Sequence, residues 1–451
     1  MKQILILGAG KSATALIRYL LEKAPVYGWQ INVGDKNIAL AEAKIANHPN
    51  GKAIYFDVAD ENIRKNALQN ADIVASLLPA SLHYLVAQDC AKLGKNMITA
   101  SYLSAAERAL APNFEANNAF LLAEMGLDPG IDHLSLLQTL AKLRSEGAKI
   151  QSINSWCGAL IAPESDNNPW HYKFTWAPMN VVLAGQGGMA QYLANGKPQY
   201  LPYHRLFAQP QPIEVPNAGS FEGYPNRDSL SYINAYQIYE IPNFLRGTLR
   251  RQGYCKAWNC LVYLGMTDNT TSLPDTPNLT LAEFTSGFLP ANIRKNSNSL
   301  KEATANYLGL PISDPIIDQI AWLGLFDNTP IGLPTATPAQ VLEKILGEKW
   351  CFEPHDNDQI VMLHEFSGLT ASGKNFTLKA ALIQTGIDHE LTAIAQTVGY
   401  PVAITIELVL TQNLQLSPGV HLPFAPHIYN PVLSKLAELG IIFNEYYNEY
   451  S

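Results

Sequence analysis

The first 125 residues alternate between short apolar runs and longer amphipathic runs. The apolar runs fall at 3–7, 30–33, 53–56, 72–78, 96–100 and 119–123. The runs between them, at about 12–24, 37–47, 60–69, 81–94 and 104–117, space their apolar residues as one face of a helix does. Strands that alternate with helices pair in parallel and carry helices on both faces of the sheet. The pattern therefore predicts an α/β fold with a doubly wound parallel sheet.

The turn between the first strand and the first helix is rich in glycine. Gly8, Gly10 and Ala13 match G-x-G-x-x-G/A, with Lys11 and Ser12 between the last two. In a Rossmann-type sheet the first glycine permits a tight turn, the second admits a pyrophosphate, and the small third residue lets helix pack on strand. The helix N-terminus adds partial positive charge. The sequence thus predicts a dinucleotide site, and a purely structural turn is the alternative.

The end of the second strand bears on which dinucleotide binds. Asp35 lies 25 residues beyond Gly10, where a carboxylate accepts hydrogen bonds from an adenosine ribose and repels a 2′-phosphate. Capping of the next helix is the alternative role for Asp35. Lys36 follows directly, and its charge would soften the repulsion or bind a phosphate. We therefore expect NAD or NADP as the cofactor, with NAD favoured.

Two later strands end in polar residues at the edge of the sheet that faces the ligand crevice. They are Ser76–Pro79 and Thr99–Tyr102, for which helix capping by Ser81 and Ser104 is an alternative explanation. The residues expected to contact the cofactor are Gly8, Gly10, Lys11, Ser12, Ala13, Asp35, Lys36, Leu78, Pro79, Ser101 and Met125.

Composition excludes several classes of protein. The 31 basic and 39 acidic residues give a net charge of −8 without a block of like charge, which argues against nucleic acid as a partner. No apolar run approaches the roughly 20 residues of a membrane span, and the first strand follows Met1 without the parts of a signal peptide. Five scattered cysteines fit neither a metal site nor a disulfide framework, so we expect reduced thiols, no metal and a cytoplasmic location.

Beyond about residue 145 the alternation stops, and five stretches stand out. They are EMGLDPGIDH at 124–133, SWCG at 155–158, APE at 162–164 leading to NPWHYKF at 168–174, YPNRDS at 224–229, and LRGTLR at 245–250. In order and spacing they resemble the saccharopine reductase family, the glutamate-forming saccharopine dehydrogenases, over nearly the whole chain. The departures are local. Trp156 replaces a usual Tyr, Ala159–Ile161 replaces Gly-Leu-Pro, and Asp35 stands where NADP-using relatives often carry Arg.

The resemblance implies the interconversion of saccharopine with L-glutamate and 2-aminoadipate 6-semialdehyde in lysine metabolism. Hydride leaves the carbon beside the bridging amine, and water hydrolyses the imine. Three substrate carboxylates call for planar Arg side chains, and the protonated amine must lose a proton before hydride departs. The alternatives are a related dehydrogenase acting on carboxynorspermidine-like amines or lysine, and a non-enzymatic dinucleotide-sensing protein.

The resemblance also implies a set of site residues. The catalytic candidates are Asp128, Tyr102 and Cys157, and the substrate-binding candidates are Ser101, Tyr102, Asp128, Arg227, Arg246, Gly247 and Thr248. The plainer alternatives are a turn for Asp128, a salt bridge to Asp228 for Arg227, and surface pairing for Arg246 and Arg250, which share a face in a helix or a strand.

Three further residues near these motifs have open roles. Asp132 is best explained as a helix cap, and His133 as a structural residue with a proton relay as the alternative. Lys173 either binds a carboxylate or extends from an aromatic strand to solvent. We expect Cys157 to line the pocket and not to act as a nucleophile, because the reaction has no covalent step that needs one.

The chain divides into three predicted parts. A dinucleotide-binding domain covers 1–130, and a mixed α/β domain for substrate binding and dimerisation covers 131–394, with 280–350 helical. The segment 395–451 returns to the first domain by resemblance, after an apolar helix at about 391–410 that is interrupted near Pro401. A homodimer through the sheet of the second domain is also implied by the resemblance.

Overall fold

The computed structural model describes residues 1–450, which form sixteen strands and eighteen helices besides short 3₁₀ turns. The strands are β1 (Lys2–Leu7), β2 (Trp29–Asp35), β3 (Gly51–Tyr55), β4 (Ile73–Ser76), β5 (Asn96–Thr99), β6 (Phe120–Leu122), β7 (Lys149–Ile161), β8 (Ala190–Ala194), β9 (Lys197–Leu201), β10 (Gln211–Val215), β11 (Gly219–Pro225), β12 (Asn243–Arg250), β13 (Asp358–Leu369), β14 (Asn375–Thr385), β15 (Gly419–His421) and β16 (Asn444–Tyr450). The helices are α1 (Thr14–Tyr27), α2 (Ile38–Ile45), α3 (Glu61–Gln69), α4 (His83–Leu93), α5 (Ala105–Arg108), α6 (Ala111–Ala116), α7 (Ile131–Ser145), α8 (Pro178–Val182), α9 (Tyr203–Leu206), α10 (Tyr232–Ala235), α11 (Tyr254–Leu264), α12 (Leu281–Gly287), α13 (Ala291–Lys295), α14 (Leu300–Leu308), α15 (Pro315–Trp322), α16 (Pro338–Lys349), α17 (Ala393–Leu410) and α18 (Pro426–Glu438).

The first sheet is parallel throughout and has the order β15-β6-β5-β4-β1-β2-β3. Its central strands are buried on both faces, since Ile4, Leu5, Ile6 and Leu7 of β1 are at most 1% exposed. The strand order reverses between β1 and β4, and in such sheets the ligand crevice lies outside the carboxyl ends of the strands at that reversal. The predicted doubly wound, Rossmann-type sheet is confirmed.

The second sheet is mixed and follows the path β10-β11-β12-β7-β13-β14-β16, with β8 pairing to β12 and β9 to β8. β12 runs parallel to β7, whereas β11 and β13 pair antiparallel with their neighbours. Helices α11–α16 have a separate aromatic core around Trp170, Trp258 and Trp350. The predicted second mixed α/β domain with a helical insertion is therefore present.

The C-terminal region serves both sheets, and not only the first one as the sequence predicted. β15 extends the first sheet beside β6, whereas β16 pairs with β14 of the second sheet. Helix α17, which precedes both strands, is continuous across Pro401, so the predicted interruption is wrong. Proline removes one helical hydrogen bond, but here the flanking residues are buried and hold the helix together.

Helix α17 packs against α1 at a glycine. A side chain on Gly399 would place its Cβ only 2.7 Å from the backbone nitrogen of Leu16, so the two helices approach closely only because that position lacks one. By length and composition α17 could cross a membrane, but 78% of it is buried inside the protein. The apolar composition of α17 is therefore explained by its packing in the core against the first domain.

This contact yields a stability prediction. Gly399→Ala should lower the free energy of unfolding by about 1–3 kcal/mol, because the new methyl group overpacks the α1–α17 contact. The matched control is Gly347→Ala in α16, where an added Cβ meets no atom within 4 Å. That change should raise stability by about 0.5–1 kcal/mol through helix propensity. Urea unfolding of both variants is the measurement, and equal effects would contradict the close-packing argument.

Candidate active site

The glycine-rich turn leaves room for a ligand at one position and not at another. Gly8 has φ +98°, and a Cβ there would lie 2.9 Å from the carbonyl oxygen of Leu77, so only glycine fits. At Gly10, in contrast, an added Cβ would meet open space, so the backbone is accessible there, whereas Ala13 three residues later is buried. One 3₁₀ turn at Lys11–Ala13 follows the glycines, and α1 begins directly after it. This arrangement fits the close backbone approach that a pyrophosphate needs.

Asp35 does not cap α2, and its carboxylate is bound to backbone groups on both sides. Its Oδ2 accepts a hydrogen bond from the N–H of Ala9 at 2.8 Å, and its Oδ1 accepts one from the N–H of Asn37 at 2.8 Å. The helix-capping alternative is therefore wrong, since Asn37 holds the N-cap position of α2. The carboxylate instead ties the end of β2 to the glycine turn. Lys36 beside it is exposed and lies 2.9 Å from Asp57 Oδ2.

A buried histidine that sequence reasoning missed holds Ser101 in place. His83 at the start of α4 lies between two hydroxyl groups, with Nδ1 2.8 Å from Ser76 Oγ and Nε2 2.8 Å from Ser101 Oγ. Burial lowers the pKa of His83 to about 4, so the ring is neutral and donates to one serine while it accepts from the other. The sequence shows only a histidine a few residues after β4. Its role becomes clear once the fold places it between Ser76 and Ser101.

The other predicted cofactor residues lie along the same edge. Leu78 is half-buried and Pro79 exposed after β4, whereas Met125 is fully buried and donates its N–H to Thr99 O at 3.0 Å. Ser104 caps α5 through a capping box with Glu107, so the capping alternative holds for that serine. At this edge Leu78 and Pro79 are therefore accessible, whereas Met125 and Ser104 have structural positions.

The centre of the site is a charged cluster that joins the two sheets. Tyr102 donates its hydroxyl to Asp128 Oδ1 at 2.9 Å, and Nη2 of Arg246 donates to the same oxygen at 2.6 Å. Arg246 Nη2 also lies 2.6 Å from Asp132 Oδ2, whose partner oxygen accepts from the Gly130 N–H at 2.7 Å. Surface pairing of Arg246 is therefore wrong, because β12 carries it into the interior between two carboxylates of this chain.

The two carboxylates of the cluster differ in proton affinity. Burial raises the pKa of Asp128 above its usual value, against the pull of Arg246, and the charge of Asp132 adds to the rise. Burial also acts to raise the pKa of Asp132, but His133, Arg246 and the Gly130 N–H together hold it below its usual value. The side chain of Asp128 is 16% exposed, compared with 2% for Asp132. Asp128 is thus the carboxylate that an incoming group meets.

Alternate residues of β12 point to opposite faces of the sheet, so the predicted substrate residues on this strand do not all face the site. Thr248 is in register with Cys157 of β7 and with Tyr224 of β11, on the strand face that also carries Arg246. Burial raises the pKa of the Cys157 thiol well above its usual value, so the thiol is neutral, as expected of a pocket residue. Gly247 faces the other way, and a Cβ there would lie 2.2 Å from the ring of Trp156. Packing by Trp156 explains that glycine.

Arg250 is the second site residue that sequence reasoning left open. It is 4% exposed, and its guanidinium lies 4.9 Å from the ring centroids of both Tyr172 and Tyr254. Its Nε has no hydrogen-bond partner, and no carboxylate of residues 1–450 pairs with it. A buried cation without an anion is costly, which points to a negatively charged group that arrives from outside. Surface pairing is therefore wrong for Arg250 as well.

Two other basic residues have clear positions. Arg227 is exposed at the end of a turn, with φ +45°, next to Asn226, whose N–H donates to Arg246 O at 2.8 Å. Within residues 1–450 the predicted alternative, a salt bridge to Asp228, does not form. Lys173 binds a carboxylate, that of Asp356 in this chain at 2.7 Å, and because it is buried the predicted extension to solvent is wrong.

The fold and the site define a two-domain protein with a dinucleotide-type sheet and a polar cluster where the two sheets meet. The family model described as "Saccharopine dehydrogenase NADP binding domain" matches residues 4–122, and "Saccharopine dehydrogenase C-terminal domain" matches 126–441. The chain belongs to the saccharopine dehydrogenase family.

Individual relatives agree with that assignment. "Saccharopine dehydrogenase [NADP(+), L-glutamate-forming]" of Schizosaccharomyces pombe is 32% identical over 450 residues, covering 99% of both chains. The mitochondrial alpha-aminoadipic semialdehyde synthase of Bos taurus is 33% identical over 98% of this chain but only 47% of that protein. The solved structure described as apo histidine-tagged saccharopine dehydrogenase (L-Glu forming) from Saccharomyces cerevisiae has a TM-score of 0.87, with 31% identity over 99% of this chain and 100% of that one.

These comparisons bear on the cofactor prediction. They support a domain that binds a nicotinamide dinucleotide, as the glycine-rich turn indicates. They do not support the preference for NAD, because the matching model describes an NADP binding domain and the fungal relatives are named for NADP(+). Both oxygens of Asp35 accept backbone N–H groups of this chain, and Lys36 follows it at the surface.

His83 yields a prediction about pH and stability. Its pKa is about 4 in the folded protein and near its ordinary 6.5 in the unfolded chain, so its contribution to stability is complete above pH 6.5 and is lost as the pH falls toward 4. Between pH 7 and pH 5 this loss amounts to about 2 kcal/mol. Urea unfolding at both values should show a smaller drop for His83→Asn than for the wild type. His204→Asn, at an exposed site, should keep the full drop. Equal drops in all three proteins would contradict a buried neutral His83.

Proposed function

We propose that this chain catalyses the NADP-dependent interconversion of saccharopine with L-glutamate and 2-aminoadipate 6-semialdehyde. The observation that carries the proposal is the position of Asp128. It is the accessible carboxylate of a buried cluster, it lies directly after the Rossmann-type sheet, and its raised pKa suits a group that accepts a proton. Family membership supports the reaction, and the cluster suggests a chemical role for named residues.

Asp128 is the proton acceptor in this proposal. The bridging amine of saccharopine is protonated near neutral pH, and Asp128 first attracts the ammonium by its charge and then takes its proton. Tyr102 and Arg246 both donate to Asp128 Oδ1, so they hold the carboxylate in one orientation and leave Oδ2 free of hydrogen bonds from residues 1–450. A nicotinamide dinucleotide held by the glycine-rich turn would supply the acceptor for the hydride that leaves the carbon beside the amine. Water then hydrolyses the imine.

The carboxylates of saccharopine need cationic partners, and these must lie away from Asp128 because Asp128 binds the bridging amine. Arg246 and Arg250 are four residues apart on β12, which corresponds to about 13 Å along a strand. Arg246 is committed to Asp128 and Asp132, whereas Arg250 has no anionic partner and Arg227 is exposed beside the same strand. We therefore assign Arg250 and Arg227 to the substrate carboxylates, with Thr248 as a neutral donor on β12 between Arg246 and Arg250. Arg246 orients Asp128.

The glycine-rich turn and the edge beyond it hold the dinucleotide. Gly10 and the start of α1 face its pyrophosphate, and Lys36 is the cation nearest the end of β2, where the adenosine ribose is expected. His83 orients Ser101, which lies next to Tyr102 and so at the end of the cofactor that meets the substrate. Lys36 pairs with Asp57 at the surface and can exchange this weak partner for a 2′-phosphate.

The decisive assay is absorbance of the reduced nicotinamide, with saccharopine and either NADP or NAD. Reduction with saccharopine, matched by glutamate formation and faster with NADP, is the expected result. Reduction with lysine or carboxynorspermidine but not with saccharopine would retain the hydride chemistry and change the substrate. Dinucleotide binding without reduction of any kind would favour a non-enzymatic sensor.

Arg250 provides a sharper test of the substrate assignment. Arg250→Gln should raise the KM for saccharopine by about tenfold to a hundredfold, because a charge-assisted contact worth about 1.5–3 kcal/mol is lost. Arg205→Gln, at an exposed position on α9, is the matched control and should leave the KM unchanged. A variant that folds with a wild-type KM would show that Arg250 packs against its tyrosines and binds no substrate.

Lys36 provides the test of cofactor choice. Lys36→Ala should raise the KM for NADP several-fold and leave the KM for NAD nearly unchanged, because only NADP carries the 2′-phosphate that the ammonium pairs with. Lys52→Ala, an exposed lysine on the neighbouring strand β3, is the control. Steady-state kinetics with each dinucleotide is the measurement. Equal changes for NADP and NAD would remove Lys36 from 2′-phosphate recognition.

A further inference from the structure

Behind Asp128 lies a set of buried charges that the reaction as described does not use. Glu124 and Asp132 are 3% and 2% exposed, and His133 is fully buried between them. Together with Asp128 they make a connected cluster of three carboxylates and one guanidinium, that of Arg246, which contacts Asp128 and Asp132, whereas Glu124 contacts His133. Such an excess of buried negative charge is unfavourable unless another cation is present. The only other group of the set that can carry positive charge is the imidazole of His133.

Both ring nitrogens of His133 lie near carboxylates, although Nε2 makes no hydrogen bond. Its Nε2 lies 3.0 Å from Glu124 Oε2, and its Nδ1 lies 3.4 Å from Asp132 Oδ2. A carboxylate has no proton to donate, so each of these oxygens attracts a protonated nitrogen. Nδ1 also meets the hydroxyl of Tyr236, which can accept a hydrogen bond from a charged ring or donate one to a neutral ring.

Within residues 1–450, the groups packed around His133 include no cation other than Arg246. From α10, Tyr232 stacks on the imidazole at 5.2 Å and donates its hydroxyl to Glu124 Oε2 at 3.2 Å. From β13 comes His364, which lies between Ser135 and Ser155 and whose pKa burial lowers to about 4, so it is neutral. Phe424, before α18, closes the remaining side with an aromatic edge. Asp128 and Asp132 approach from the turn before α7 and from its first turn.

We propose that His133 is the second cation of this cluster, and that Asp132 and His133 are positioning residues that act through Arg246 to set how tightly Asp128 holds its proton. Asp132 draws Arg246 partly away from Asp128 and adds negative charge, so it makes Asp128 a stronger base. His133 offsets the charge of Asp132 and limits that effect. The proposal rests on the proposed function, in which Asp128 accepts the proton of the substrate amine.

This arrangement predicts opposite effects for two conservative substitutions. Asp132→Asn removes a negative charge beside Asp128 and leaves Arg246 to Asp128 alone, so the acidic limb of kcat/KM for saccharopine oxidation should move to lower pH. His133→Gln removes the positive charge, so the same limb should move to higher pH. Each shift is expected to be about one pH unit. A purely structural role would lower activity at every pH without moving the limb in opposite directions.

His364→Gln is the matched control for the pH profile. His364 is also fully buried and has a polar partner on each ring nitrogen, but it is neutral over the pH range of the assay. Its variant should leave the acidic limb where it is in the wild type. If His133→Gln fails to fold, Asp132→Asn decides alone. An unmoved limb, or one moved to higher pH, overturns the proposal.

A measurement without substrate separates this inference from the proposed function. In protein labelled with ¹⁵N at histidine, the resonances lost in His133→Gln should be those of an imidazolium at pH 7.5, and those lost in His364→Gln should be those of a neutral ring. A neutral His133 overturns the inference even if saccharopine is turned over. A charged His133 in a protein that does not oxidise saccharopine would leave the electrostatic part standing and refute the proposed function.

Discussion

Arg246 is the residue on which the geometry of the site depends. It comes from a central strand of the second sheet, and its guanidinium donates to two carboxylates that follow the last helix-linked strand of the first domain. Removing one partner from such a buried pair costs about 3–5 kcal/mol, because a charge is left uncompensated. The contact therefore fixes the relative position of the Rossmann-type edge and the substrate-binding strand. It also determines which atoms of Asp128 remain open.

Strand β12 separates the chemistry of the site from the packing of the core. Its alternate residues Arg246, Thr248 and Arg250 face the site, whereas Gly247 faces Trp156, whose ring also lies against Gly223 on the neighbouring strand. The period of two along a strand makes this division unavoidable. Trp156 therefore packs in the core behind the sheet, on the face opposite to the site.

The local sequence pattern was enough to predict the fold of the first domain, but it could not predict the side-chain contacts of the site. The alternation of runs predicted the parallel sheet because each helix and strand is set by residues within a few positions of one another. Arg246, in contrast, finds its partners 114 and 118 residues away, and no spacing rule reveals them. The same holds for Asp35, which binds the glycine turn 26 residues before it, and for Pro401, where burial overrides the local tendency to break a helix.

The distribution of charge along β12 also bears on which amine the site would accept. Around Asp128 the carboxylates outnumber the cations, which suits an ammonium, whereas Arg250, about 13 Å from Arg246 along the strand, has no carboxylate partner among residues 1–450. A substrate must satisfy both ends, because a site with an unpaired buried charge rejects an analogue that lacks the matching group. Saccharopine carries a bridging amine and carboxylates at a distance from it. Lysine and carboxynorspermidine carry fewer carboxylates, so they would leave more of the cations without partners. The free guanidinium of Arg250 therefore argues for selection by the carboxylate end of the substrate, and the amine end fixes where the chemistry occurs.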